Sequence, residues 1–67
     1  MNNTFGENLK RIRESKGMSQ EDLARNIHIC RESVSKWETG KVSPQVKWVY
    51  EIAEVLRVNP TDLIWTK

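Results

Sequence analysis

A chain of 67 residues sets the expectation of one small domain, spanning 1–67 with its core over about 5–64, in which every helix must contribute a buried stripe. One cysteine (Cys30) and one histidine (His28) exclude an intrachain disulfide and a structural zinc site, and no apolar run approaches the roughly 20 residues of a membrane-spanning helix. The formal charge of +2 is too mild to name a partner by itself, so its distribution carries more weight.

Helix signals recur at short intervals, with no β-type alternation and no internal repeat. Thr4-Phe5-Gly6-Glu7 forms a capping-box pattern, and Phe5, Leu9 and Ile12 follow as an apolar stripe. Gly17 ends this first helix, expected over about Phe5 to Lys16. Ser19 then caps a second helix with Glu21 and Asp22 in its first turn, where the helix dipole favours acid, and with Leu23, Ala24 and Ile27 inward. A sharp turn is expected at His28 with positive φ. The third helix runs from about Arg31 to Thr39 and ends at Gly40, with Val34 and Trp37 expected inward alongside Cys30. Ser43-Pro44 reads as a cap followed by proline at the first helical position. A fourth helix follows, with Val46, Val49, Ile52, Ala53 and Leu56 inward. Asn59-Pro60 repeats the device for a short fifth helix that buries Leu63 and Ile64. The expected fold is all-α, five short helices closely connected.

The informative stretch is Ser19 to Lys41: two short helices joined across the turn Ile27–Cys30. Such a unit needs a small residue at the helix crossing (Ala24), an apolar residue in the turn (Ile29), and apolar side chains that face only inward on the second helix (Val34, Trp37). At 100° per residue, Arg31, Glu32, Ser35 and Lys36 share the opposite side, joined by Thr39. Any amphipathic helix has a solvated polar side. In a helix-turn-helix that side faces the major groove, so these four are the candidate base-reading set. Arg31 and Lys36 can donate to guanine, Glu32 can accept from cytosine N4 or orient Arg31, and Ser35 can serve either way. Local charge agrees: residues 1–16 carry a net +2 and residues 30–41 a net +1, while 42–67 balance.

Ser19 through Lys41 (S-Q-E-D-L-A-R-N-I-H-I-C-R-E-S-V-S-K-W-E-T-G-K) resembles the Cro/CI-type, lambda-repressor-like helix-turn-helix family, and so do N-L-K-R-I-R, Ser43-Pro44 and I-A-E-V-L-R-V-N-P-T-D-L-I. The likeness runs from about residue 5 to 64. It implies a compact five-helix DNA-binding domain whose helix-turn-helix is made by helices 2 and 3. It further implies that Gln20 contacts phosphate and buttresses a reading side chain, aided by backbone amides at that helix start, and that Ser33 and Lys41 touch the DNA backbone. Arg13 and the Glu38 of W-E-x-G would form a partly buried scaffold bridge. Dimerisation would run through the fifth helix and its approach. Two features depart from the family: His28 stands at a usual glycine, and Cys30 at a usual Ser or Thr cap, which weakens that helix start by about 1 kcal/mol.

Trp48, Ile52 and Val55 lie on a stripe offset from the core line of helix 4, and Trp65 follows helix 5. Trp65, Ile64 and Trp48 are therefore the expected homodimer seal. The leading reading is a DNA-binding transcriptional regulator, a repressor acting by occupancy of a palindromic operator. A phage-type repressor, a restriction-modification controller and a toxin-linked antitoxin remain open, as does a protein antagonist or toxin partner. A protein-interaction module using the Trp surface is the second reading. An enzyme built on Cys30 and His28 lacks a pocket. No cofactor or metal is expected. Met1-Asn2-Asn3-Thr4-Phe5 shows no basic region followed by an apolar one, and so no secretory pattern, and the reading is a cytoplasmic chain without a membrane.

Overall fold

The computed structural model describes residues 4–64, which form five helices: α1 (Thr4–Ser15), α2 (Gln20–Asn26), α3 (Arg31–Thr39), α4 (Val46–Leu56) and α5 (Pro60–Ile64). The all-α class and the helix order are as expected, with α1 set one residue earlier at each end. Helix α1 packs on α3 and α5, α2 on α3 and α4, and α4 on α5. Leu9, Leu23, Val34, Ile52, Leu56 and Leu63 are fully enclosed where these helices meet.

Four of the helices end in the same way. Gly17 (φ 70°), His28 (φ 62°), Gly40 (φ 81°) and Arg57 (φ 60°) each turn left-handed. The next residue donates its N–H back five positions: Met18 to Arg13, Ile29 to Ala24, Lys41 to Lys36 and Val58 to Ala53, at 3.0–3.1 Å. This double-bonded stop satisfies the last helical carbonyls and turns the following side chain back on the helix. Met18, Ile29 and Val58 use it to pack on the core. The short connections are thus covered by apolar side chains, and the expected positive φ at His28 is part of a repeated device.

Three expectations need correction. Helix α4 starts at Val46 with Gln45 as its N-cap, so Ser43-Pro44 lies before the helix and does not start it. Val46 accordingly sits outside, 68% exposed, while Ile52, Ala53 and Leu56 are buried and Val49 packs at the core edge. Cys30 is exposed and makes no cap hydrogen bond. An N-cap residue has extended backbone, here ψ 146°, and so leaves the angular progression of the helix it precedes. At the other end, Leu63 is enclosed but Ile64 is half exposed. The carbonyl of Leu63 is held at 3.0 Å by Nδ2 of the buried Asn8, which fastens α5 to α1.

Candidate nucleic-acid interface

Helix α2 begins on a reciprocal cap: Ser19 Oγ accepts the Asp22 N–H at 2.9 Å, and the Asp22 carboxylate accepts the Ser19 N–H at 3.1 Å. That second bond, with help from the Ser19 hydroxyl, holds the Asp22 carboxyl below the usual carboxylate range. The start of this seven-residue helix therefore already holds a carboxylate of its own.

From α2 the chain turns at His28 and Ile29 and enters α3. Ala24, 3% exposed, lies in the core between α2 and its neighbours, and Ile29 is half buried beside it. Nine residues at 1.5 Å each make α3 about 13 Å long, comparable to the roughly 12 Å width of the DNA major groove. Its inward residues are Val34, Trp37 and Glu38, all buried. The Trp37 ring lies 6.1 Å from that of Trp48 at a 41° tilt, and Trp48, half buried, carries Lys47 Nζ 4.8 Å above its own ring. The offset stripe on α4 is thereby explained: Trp48 braces the back of α3, and Val55 packs at the core edge with it.

The outward side of α3 is concave. Arg31, Glu32, Ser35, Lys36, Thr39 and Lys41 line a shallow depression of about 200 Å³. All four candidate base-reading residues are brought together there, with Lys41 at one end. Ser33 is half buried outside this strip. Among the residues of the proposed dimer seal, Ile64 is half exposed and Trp48 is turned largely onto the core; Trp65 lies outside the described residues.

Beneath the depression runs a chain of polar contacts. Arg13 reaches from α1 to Glu38, with Nε 2.7 Å from Oε2 and Nη2 3.1 Å from Oε1, and its Nη1 donates to the Met18 carbonyl at 2.6 Å. Both side chains are nearly inaccessible, 7% and 3% exposed. Donation of its hydrogen bonds to the Glu38 carboxylate raises the Arg13 pKa above its ordinary value, against the opposing effect of burial. Gln20 Nε2 then donates to Glu38 Oε1 at 2.9 Å, and Gln20 Oε1 accepts from Arg31 Nη1 at 3.2 Å. Sequence reasoning identified the Arg13–Glu38 pairing and gave Gln20 a buttressing role. It missed that Gln20 joins the two, because contacts 11 and 18 positions apart leave no periodic trace.

Among the described residues, no helix is long and apolar enough to cross a membrane. A family model described as "Helix-turn-helix" matches residues 9–63. A SPbeta prophage-derived HTH-type transcriptional regulator of Bacillus subtilis is 40% identical over 60 residues, covering 90% of this chain and 55% of the relative. The HTH-type transcriptional activator BcrR of Enterococcus faecalis is 33% identical over 60 residues, covering 90% of this chain and 29% of its own length. The chain thus spans about half of one relative and under a third of the other. In three dimensions it is similar to the restriction-modification controller protein C.AhdI from Aeromonas hydrophila, with a TM-score of 0.85, 32% identity, and coverage of 90% of this chain and 91% of that one. A two-helix unit with a buried back, an exposed polar strip and these relatives makes the chain a member of the DNA-binding helix-turn-helix family of transcriptional regulators.

Proposed function

We propose that the chain is a sequence-specific repressor that binds a palindromic operator as a homodimer, with α3 in the major groove. The observation that carries this reading is the depression on α3. Arg31, Glu32, Ser35 and Lys36 line one concave strip, while Val34 and Trp37 on the opposite side are buried. Arg31 and Lys36 donate to O6 and N7 of guanine, Glu32 accepts from cytosine N4, and Ser35 adapts to either, so each half-site carries G·C pairs opposite Arg31 and Lys36. Lys41, Ser33 and the second amide hydrogen of Gln20 contact phosphate and set the docking register.

Trp65, half-exposed Ile64 and the outer edge of Trp48 join two copies, placing their α3 helices about one DNA turn, roughly 34 Å, apart. Bound across a promoter, such a dimer represses by occupancy.

Selection of bound sites from random duplex DNA tests the whole reading. The expected product is an inverted repeat with G·C pairs in each half, and an affinity for it that falls steeply as salt rises. A selection that enriches no sequence, or binding indifferent to salt, refutes the reading. A half-site recovered singly, with a monomer in sedimentation at tens of micromolar, refutes the dimer.

A further inference from the structure

Gln20 is an amide, with an oxygen that only accepts and a nitrogen that only donates. Two orientations exchange these ends. In one, the nitrogen faces inward and the oxygen outward; in the other, the reverse. The choice decides what Arg31 meets. An outward oxygen accepts from its guanidinium and holds it, whereas an outward NH2 presents like polarity and turns it away.

The inward neighbour makes that choice. Glu38 lies against Gln20 with Oε1 2.9 Å from Nε2. A carboxylate held by Arg13 at 2.7 and 3.1 Å is acceptor-only, so it tolerates the amide nitrogen and repels the amide oxygen. The oxygen is therefore left to face Arg31 Nη1 at 3.2 Å. The Nε–Nη2 edge of the guanidinium remains for the paired O6 and N7 acceptors of guanine.

We infer that Glu38, a side chain enclosed by the protein and unable to touch DNA, is a specificity-determining positioning residue: it fixes the polarity of Gln20 and through it the guanine preference of Arg31. This rests on the reading of Arg31 as a base-contacting residue. The charge on Glu38 is the operative feature, more than its size. Glutamine at 38 keeps the shape but offers one oxygen and one NH2. Its oxygen goes to Arg13 and its NH2 to Gln20, which then turns its own oxygen inward and its NH2 toward Arg31.

The test uses duplexes carrying the selected site of the wild-type chain, with each half-site position substituted in turn. Arg31→Ala identifies the base pair that Arg31 reads. Glu38→Gln, shown folded by its circular dichroism, is expected to lose about tenfold of guanine discrimination, concentrated at that base pair. Gln20→Ala leaves the Arg13–Glu38 pair in place, so it probes the same link even where Glu38→Gln fails to fold, and it is expected to lose discrimination at the same position. Where both fold, the double variant is expected to lose no more than either single one, the mark of residues acting in series. Full guanine preference in folded Glu38→Gln or in Gln20→Ala overturns the role of Glu38, as does an equal loss at every position. Absence of any position-specific effect of Arg31→Ala overturns the underlying reading of Arg31 and the inference with it.

Discussion

Replacing Arg13 with methionine removes a cation and keeps most of its volume, which makes it a sharp probe of the bridge beneath α3. The change deletes both contacts to Glu38, at 2.7 and 3.1 Å, and leaves a carboxylate that is 3% exposed with its counter-charge gone. Gln20 still donates to Glu38, but one neutral amide does not replace a guanidinium. Removing one partner of a buried ion pair costs about 3–5 kcal/mol. A domain of 67 residues has a total stability of about 3–10 kcal/mol. Arg13→Met should therefore remove a third or more of the total stability, read by urea titration of helical ellipticity. Arg13→Met with Glu38→Met should recover most of the loss, because two apolar side chains of similar volume are often neutral against a buried pair. A single variant that loses less than about 1 kcal/mol, in the range of exposed pairs, refutes the reasoning. The elevated Arg13 pKa fixes the pH behaviour. Stability from a raised cation persists below the ordinary value and fades only as pH rises through the folded one, so the bridge should be insensitive to base at any pH used for binding.

The left-handed stop at His28, φ 62°, costs a side-chain-bearing residue about 1–2 kcal/mol; His28→Gly removes that cost, adds about 0.5–1 kcal/mol of unfolded-chain entropy, and should raise stability by a net amount near 0.5–1 kcal/mol in urea titration. A decrease would show that the imidazole makes a contact worth more than the strain. Cys30→Ser supplies the missing N-cap acceptor of α3 and should stabilise by about 1 kcal/mol, visible as a higher melting temperature; an unchanged value would mean that the helix start is already satisfied. Asp22 has a lowered pKa from its bond with the Ser19 N–H, so its support of α2 is present above about pH 4 and lost as pH falls through the lower folded value. Asp22→Asn should flatten the acid limb of melting temperature against pH, and identical limbs would remove Asp22 from that role.

Much of this architecture was legible because helix ends are local. Gly17 and Gly40 announce left-handed stops, Ser19 with Asp22 announces a start, and Val34 with Trp37 sets the buried side of α3 by spacing alone. Where the reading failed, the cause was also local but ambiguous. Ser43-Pro44 has the composition of a helix start, yet the helix begins only after Gln45, whose backbone is extended. Moving that start turned Val46 from a core residue into a surface one. Cys30 was placed by helical angle although an N-cap residue does not obey it. The resemblance paired Arg13 with Glu38, but the joint through Gln20 depends on which end of an amide faces a carboxylate, and the sequence does not encode that at any fixed spacing.

The back of α3 is secured at two adjacent residues by unlike forces. Trp37 is held by apolar contact with Trp48, which is non-directional and resists displacement of the helix as a body. Glu38 is held by the guanidinium of Arg13, whose paired hydrogen bonds are directional and resist rotation about the helix axis. A rotation of one residue's worth, 100°, would carry Arg31 and Lys36 out of the strip they share with Glu32 and Ser35. Apolar packing alone tolerates partial rotation, since a ring can slide against a ring. The ion pair does not. Placing the two side by side explains how a helix of nine residues, joined by short turns, can present four outward side chains in one fixed register. It also explains why the tryptophan of α4, which on sequence grounds belonged to a dimer seal, braces this chain's own α3.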